Sequence, residues 1–249
     1  MEVEGNERIW PKRENLEEYL QDTPEHKQRY DLASNCVQEL DCADVACGAG
    51  YGSFMLSKSA KRVSGYDISK EALDHANDHF KTSEITFEHI TNFQNKQFEA
   101  VVSFETLEHM NEEDGNKFLS NIYNNLKPEG YLIISTPLNE TNFRENVTEY
   151  HIREYNNFEF KTKLNNAGFE IKKWYGQSNS VSKKISKKVL GISLITILNF
   201  GVHRLIPKFL RSPFSKNILG KNKPSSRSII ISEDTLEGAF SQIAICRKR

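Results

Sequence analysis

The chain has 249 residues, 37% of them hydrophobic and 27% charged, which suits one sizeable globular domain, residues 1–249, and excludes a disordered or collagen-like chain. No apolar run reaches the roughly 18 residues of a membrane-spanning helix, so a polytopic membrane protein is excluded as well. The N-terminal residues lack the basic and apolar regions of a secretory signal, so we expect a cytoplasmic protein. The four cysteines lack metal-finger spacing and are expected to be reduced core residues: Cys36, Cys42, Cys47 and Cys246.

The near balance of 33 basic and 34 acidic residues hides an asymmetry. The stretch 172–232 contains 13 lysines and arginines and no aspartate or glutamate. The rest of the chain is therefore acidic, and this stretch is strongly basic.

Helical and strand patterns alternate along most of the chain. Helical patterns at 15–20 and 25–40 predict an N-terminal helical cover, residues 1–41. Strands are predicted at 43–46, 62–67, 85–90, 100–104, 131–136, 169–174 and 240–247, and helices between them at 53–59, 69–80, 115–126 and 158–167. This alternation predicts βαβ units and a parallel sheet.

A long connection precedes the final predicted strand. Residues 176–238 are too many for an ordinary loop of a compact domain, so we interpret them as a basic insertion with its own structure or function. Apolar residues recur at helical spacing through 181–210, beside a group of lysines. This pattern favours peripheral contact with an anionic membrane, or with an acceptor carried by a lipid. A helical lid is the alternative, and nucleic-acid binding is less favoured because no RNA-binding module is recognisable.

A glycine-rich segment, residues 44–52, lies between the first predicted strand and a helix, where small residues let the backbone approach a ligand. A third glycine of the dinucleotide fingerprint is expected at position 53, which is Ser53, so a dinucleotide is disfavoured. Asp67 ends the second strand, where a carboxylate can accept hydrogen bonds from both hydroxyls of a ribose. Together these features indicate a nucleoside pocket, although a glycine triplet alone is also typical of a simple strand-to-helix turn.

Four ordered motifs resemble those of the class I S-adenosylmethionine-dependent methyltransferases. They lie at 44–52, 65–69, 98–109 and 126–137. Two further segments, 25–30 and 150–155, are similar to a subgroup associated with bacterial cell-surface polysaccharide and glycan assembly. The resemblance implies a Rossmann-like doubly wound α/β sheet of seven strands with the last strand antiparallel.

The resemblance also assigns residues to the cofactor, S-adenosyl-L-methionine. Its methionine part is expected to lie against Asp44, Ala46, Gly48 and Gly50. Asp67 is expected to hold the ribose, and Ile68 to pack on the adenine. Many relatives carry an acid after the third strand; here Thr91 or Asn92 would take its place. The other cofactor candidates are Phe104 and Arg29, the latter as a partner for the cofactor carboxylate or simply a surface arginine.

Methyl transfer from a sulfonium is an in-line displacement that needs no metal and no covalent intermediate, so the protein mainly aligns the reactants. A hydroxyl acceptor needs a general base, for which the candidates near the strand ends are His151, His109, Glu105 and Glu149. His151 ranks narrowly above His109, and structural roles for both remain open.

We therefore expect O-methylation of a sugar, glycan-related or lipid-linked acceptor. A quinone or another small molecule is the alternative acceptor. A non-catalytic nucleoside-binding scaffold is the alternative to an enzyme.

Overall fold

The computed structural model of the chain describes residues 10–139, 150–179 and 229–249. Eight strands form its central sheet. They are β1 (Asp41–Val45), β2 (Arg62–Asp67), β3 (Ile85–His89), β4 (Phe98–Ser103), β5 (Leu126–Pro137), β6 (Phe169–Asn179), β7 (Ile229–Glu233) and β8 (Ala239–Lys248).

The sheet has the strand order β3-β2-β1-β4-β5-β8-β6-β7. Its first five strands are parallel to one another, and β8 runs antiparallel to both β5 and β6. The direction of winding reverses between β1 and β4, which opens a crevice at the carboxyl ends of these strands, where open α/β sheets bind their ligands. The predicted α/β Rossmann-like fold is thus confirmed.

The predicted count of seven strands is wrong. An eighth strand, β7, pairs antiparallel with the outer edge of β6 between Asn179 and Tyr175. It lies within residues 176–238, which we had assigned to the insertion, and it begins with three consecutive isoleucines. Such β-branched residues favour a strand. The C-terminal part of the predicted insertion is therefore part of the sheet.

Six α-helices pack on the sheet in the described part of the chain. They are α1 (Leu16–Asp22), α2 (Pro24–Cys36), α3 (Tyr51–Leu56), α4 (Lys70–Phe80), α5 (Glu112–Asn125) and α6 (Asn157–Asn166). N-terminal caps explain where α4, α5 and α6 begin. The side chains of Ser69, Asn111 and Asn156 each accept a hydrogen bond from a backbone N–H in the first turn of the helix that follows. Short 3-10 helices occur at Arg13–Asn15, Ile90–Phe93 and Leu107–His109.

Neighbouring residues of a strand point to opposite faces of the sheet, and two cores result. Ala100 and Val102 of β4 belong to the core beneath α1 to α4, whereas Val101 belongs to the core beneath α5 and α6. Cys42, Cys47 and Cys246 are buried as expected, whereas Cys36 is only half-buried. Burial of both faces makes the sheet a rigid support for the side chains and loops at its carboxyl edge.

The predicted membrane-binding segment, 181–210, lies outside the described residues, as does Glu149. Within the described ranges, no helix combines the length and the apolar character needed to cross a bilayer.

Candidate active site

The glycine-rich segment leaves β1 in an unusual backbone conformation. Ala46, Gly48 and Gly50 have φ angles of 64°, 54° and 85°. A Cβ at Gly50 would lie 2.6 Å from the Cβ of Ala76, so α4 packs directly on the loop there. A Cβ at Gly48 would meet no heavy atom within 4 Å, so the loop faces open space at this residue. The segment is therefore anchored on one side and accessible on the other.

Asp67 connects this loop to the second strand and to α4. One carboxylate oxygen accepts a hydrogen bond from the N–H of Gly48 at 2.8 Å, and the other accepts one from the N–H of Ser69 at 2.9 Å. The next side chain, Ile68, is 60% exposed at the same edge of the sheet. This arrangement fits a nucleoside whose ribose is bound by Asp67 and whose flat base packs on Ile68.

Asp44 is a buried carboxyl at the end of β1. Its Oδ2 accepts a hydrogen bond from the Oγ of Ser53 at 2.7 Å. Its Oδ1 is buried and has no hydrogen-bond partner among the described residues. Burial, together with the nearby Asp67, raises the pKa of Asp44 to about 7. An unpaired buried acceptor at this place fits a ligand that brings its own N–H donors.

Arg29 reaches the crevice from α2 and is only 5% exposed, so the surface-arginine interpretation is wrong. Its NH1 donates to the Oε1 of Gln177 at 3.0 Å and lies 3.5 Å from the Oε1 of Glu105. The buried guanidinium is thereby held at the carboxyl edge of the sheet, where it can meet an anionic group.

Sequence reasoning missed a cluster of aromatic side chains and a histidine between the N-terminal helical cover and the glycine-rich segment. The Nδ1 of His26 lies 2.9 Å from the hydroxyl of Tyr19 and 2.6 Å from that of Tyr51. Burial, with Arg29 adding to it, lowers the pKa of His26 to about 4. A Cβ at Gly52 would lie 2.0 Å from the Cζ of Tyr30, so this ring rests on the first turn of α3. The cluster fixes the cover over the loop.

Three cofactor candidates remain: Thr91, Asn92 and Phe104. Thr91 and Asn92 are exposed in the 3-10 helix after β3, and the Oγ1 of Thr91 is 2.9 Å from the Nδ1 of His89. Phe104 is half-buried and packs edge-on against Tyr30, with 5.1 Å between ring centroids. No carboxylate takes the place of the absent acid in this 3-10 helix.

Two of the predicted bases meet at the end of β4. The rings of His109 and His151 pack edge-on with their centroids 5.1 Å apart, although 42 positions separate them in sequence. Glu108 lies beside them, and one nitrogen of each imidazole and a carboxylate oxygen all lie within 4.8 Å of one another. We call these three residues the Glu–His cluster. The sequence placed Glu108 only next to a candidate base and missed its part in this cluster.

Backbone contacts hold the two histidine segments together. The carbonyl of Glu108 accepts hydrogen bonds from the N–H groups of Ile152 and Arg153, both at 2.9 Å. The Nδ1 of His109 lies 2.9 Å from the carbonyl oxygen of Tyr150, which can only accept, so Nδ1 carries the proton and Nε2 the lone pair.

Two carboxyls of the same segment differ in their surroundings. Glu105 has a φ of 48°, and its Oε1 accepts hydrogen bonds from the hydroxyls of Ser135 at 2.6 Å and Ser241 at 3.0 Å. Glu108 is 1% exposed, and its Oε2 accepts from the Oγ1 of Thr136 at 3.1 Å. Burial, and then the carboxylate of Glu105, raise the pKa of Glu108 well above its usual range. Glu105 is thus engaged in positioning contacts toward Arg29 rather than placed as an open base.

Comparison with known proteins identifies the central part of the chain. Residues 43–134 match the family described as "Methyltransferase domain". A protein of Mycolicibacterium smegmatis named "Probable S-adenosylmethionine-dependent methyltransferase" is 28% identical over 151 residues, which are 58% of this chain and 57% of that protein. A "Ubiquinone biosynthesis O-methyltransferase" of Rickettsia bellii is 30% identical over 109 residues, 41% of this chain and 44% of the relative.

The fold has solved counterparts. The crystal structure of a "SAM-dependent methyltransferase" from Thermotoga maritima superposes with a TM-score of 0.61 at 16% identity, covering 95% of each chain. At that identity the likeness concerns the fold alone. The chain spans little more than half the length of the first curated relative and less than half of the second. Residues 43–134 therefore match the methyltransferase domain family, and the described chain shares the α/β Rossmann-like fold of solved methyltransferases.

Proposed function

We propose that the chain is an S-adenosylmethionine-dependent O-methyltransferase. The observation that carries the proposal is the position of two groups on one edge of the sheet. An accessible glycine loop held by Asp67 lies at the ends of β1 and β2, and the Glu–His cluster lies beyond the neighbouring β4. A donor and an acceptor bound at these two places meet over the crevice between β1 and β4.

The cofactor is S-adenosylmethionine, which supplies a methyl group on a sulfonium, a donor that needs no further activation. Asp67 and Ile68 suit its adenosine, as described above. The unpaired Oδ1 of Asp44 suits its ammonium group, and the buried Arg29 suits its carboxylate. These four side chains bind and orient the donor.

The acceptor hydroxyl must lose a proton, and His151 is the residue we propose for this step. Its Nδ1 lies 2.8 Å from the Oε1 of Glu154. This carboxylate accepts a hydrogen bond from Nδ1–H, which leaves the lone pair of Nε2 available to take a proton. The carboxylate therefore orients the imidazole and stabilises it once it is protonated. His109 has the same available lone pair and is the second candidate.

The chemistry of the acceptor is a finer proposal. Two large apolar side chains that follow His151 in the sequence are solvent-exposed, Ile152 by 54% and Phe158 by 78%. Exposed apolar groups beside a polar centre favour an acceptor with an apolar part. A lipid-linked sugar or glycan has such a part, and it is the acceptor we propose. A prenylated quinone precursor has one too, and the match to the Rickettsia bellii protein favours it as the second candidate.

Contact with a membrane is a further part of this proposal, because a lipid-linked acceptor must be reached there. We expect residues 181–210 to hold the protein on anionic vesicles at low salt. Flotation with phosphatidylglycerol vesicles tests this expectation. Binding that survives deletion of these residues, or no binding at all, contradicts it.

Two measurements test the enzymatic proposal. Calorimetry with S-adenosylhomocysteine measures the cofactor site alone. Transfer of labelled methyl groups from S-adenosylmethionine is then measured on lipid-linked sugars and, separately, on polyprenyl catechols. Tight binding with no transfer to either panel favours the non-catalytic nucleoside-binding scaffold, and absence of binding refutes the proposal altogether.

A further inference from the structure

We infer that the Glu–His cluster is a binding site for a divalent transition-metal ion. One carboxylate oxygen of Glu108 and one nitrogen each of His109 and His151 lie within 4.8 Å of one another. A central ion about 2.0 to 2.2 Å from each ligand holds the ligand atoms no more than about 4.4 Å apart, so the three side chains need only a small inward movement to coordinate it. The sequence indicated only that methyl transfer can proceed without a metal. The three ligands come from two segments that are distant in sequence and are brought together by the fold.

A second observation points to a ligand at the same place. The Oε1 of Glu108 is buried and has no hydrogen-bond partner among the described residues, while its Oε2 is bound by Thr136. A buried carboxyl oxygen without a hydrogen-bond partner is unfavourable, and ionisation of this group requires a compensating cation. A bound cation between this carboxylate and the two imidazoles supplies that compensation.

The outer contacts of both histidines are those of metal ligands. His109 donates its Nδ1 proton to a backbone carbonyl, and the Nδ1 of His151 is hydrogen-bonded to the carboxylate of Glu154. Such contacts fix the tautomer and the ring orientation of metal-binding histidines. The N–H groups that follow His151 bind the carbonyl of Glu108, so the two ligand segments are also held to each other.

The ligand types select the class of metal. Two imidazoles and one carboxylate suit Zn²⁺ and neighbouring divalent transition metals better than Mg²⁺ or Ca²⁺, which prefer oxygen ligands. Three protein ligands leave a position open, as in catalytic rather than structural zinc sites.

The role of the metal toward the acceptor rests on the proposed function. An acceptor oxygen in the open position would lose its proton to water more readily, because the ion stabilises the resulting oxyanion. The oxygen lone pair then forms the bond to the methyl carbon, and the carbon–sulfur electron pair returns to sulfur. In the metal-loaded protein both histidines are ligands, so water rather than His151 accepts the proton of the acceptor hydroxyl.

Cobalt titration tests the site without any acceptor. The full chain is dialysed against a chelator and titrated with Co²⁺, whose visible absorption reports the ligand number. We expect one ion per chain with the absorption of a four- or five-coordinate site. Glu108→Gln, His109→Ala and His151→Ala should each weaken binding at least tenfold. His79→Ala is the matched control, because among the described residues it breaks a second close histidine pair, His75 and His79, with 4.4 Å between ring centroids.

Calorimetry with S-adenosylhomocysteine in the presence of chelator is run on the same variants, so failure of the metal site is distinguishable from failure of the cofactor site. His151 lies outside helices and strands, and thermal melting of His151→Ala reports whether this variant is folded. Unchanged Co²⁺ affinity in a folded His151→Ala variant, loss of the ion in His79→Ala, or no stoichiometric binding to the wild type overturns the inference.

Discussion

The two ends of the crevice are built in different ways. Apart from Arg29, the cofactor end comes from two short segments, 44–53 and 67–69, and backbone N–H groups make its main contacts to Asp67. The acceptor end is assembled from side chains of segments far apart in sequence, 105–109, 135–136, 150–154 and Ser241. A site built from one strand-turn-helix unit is visible in sequence, whereas a site built by convergence needs the fold. The two ends should also fail separately when they are mutated.

The largest expected effect is on the acceptor end. His151→Ala should lower the rate of methyl transfer about 10³-fold, because it removes the group that accepts the acceptor proton or holds the ion that assists its loss. The affinity for S-adenosylhomocysteine should stay within about twofold, since the residue lies outside the cofactor contacts. Single-turnover transfer and calorimetry on the same variant separate the two effects.

His79→Ala is the control for this comparison, with both quantities expected at the wild-type value. A comparable loss of cofactor affinity in His151→Ala would mean that the two ends are not independent.

Asp67→Ala should have the converse effect. It removes hydrogen bonds to both ribose hydroxyls, each of about 1.5 to 3 kcal/mol to a charged group, so the affinity for S-adenosylhomocysteine should fall at least about 100-fold. It also leaves the N–H groups of Gly48 and Ser69 without their acceptor.

The matched control is Asp74→Ala on the exposed face of α4, which breaks only a surface pair with Lys70. Thermal melting of both variants reports whether the loop stays folded. Cofactor affinity in Asp67→Ala equal to that in Asp74→Ala would rule out the proposed ribose contact.

His26, in the N-terminal helical cover, should make the free energy of unfolding depend on pH in the acid range. The pKa of His26 is lowered to about 4 in the folded protein, so the unfolded chain binds its proton first as the pH falls below about 6.5. Stability from this group is therefore present above pH 6.5 and lost toward pH 4, by up to about 3 kcal/mol. Urea unfolding of wild type and His26→Gln should show a difference in free energy that shrinks by this amount as the pH is lowered.

His89→Gln, which changes an exposed histidine, is expected to leave the pH dependence as in the wild type. A pH-independent difference between wild type and His26→Gln would count against a neutral buried His26.

The smallest expected effect concerns Asp44, whose pKa of about 7 leaves it partly protonated at neutral pH. An ammonium group binds the ionised form, so the affinity for S-adenosylhomocysteine should rise about tenfold between pH 6 and pH 8. Calorimetry across this range is expected to show a flat profile for Asp44→Asn. Ser53→Ala, which removes only the donor to Oδ2, should keep a pH-dependent profile, and a pH-dependent Asp44→Asn variant would remove Asp44 from the contact.

The strand and helix order was predictable because each element carries a local signal. Ser69 caps α4 as expected, and the predicted helices and strands all appear within a few residues of their observed bounds. The extra strand β7 was not predictable in this way, since its pairing depends on the extension of β6 to Asn179. Its isoleucines were the available signal.

In the candidate site as well, residues with local contacts were predictable, whereas contacts between distant residues were not. Asp67 and the glycine loop were identified from spacing, because the contacts that matter lie within one βαβ unit. The burial of Arg29 depends on Gln177, which is 148 positions away, and the pairing of His109 with His151 depends on a loop docking on the carbonyl of Glu108. His109, His151 and Glu105 were identified as candidate bases, and the close spacing of Glu105, Glu108 and His109 was the signal that could have added Glu108 to them.

A crystal structure of the chain with S-adenosylhomocysteine tests the two-ended site most directly. The ribose hydroxyls are expected within hydrogen-bond distance of Asp67, the adenine on Ile68, and the sulfur directed toward Glu108, His109 and His151. Density for the ligand elsewhere, or a sulfur turned away from these three residues, would contradict both the binding site and the transfer across the crevice.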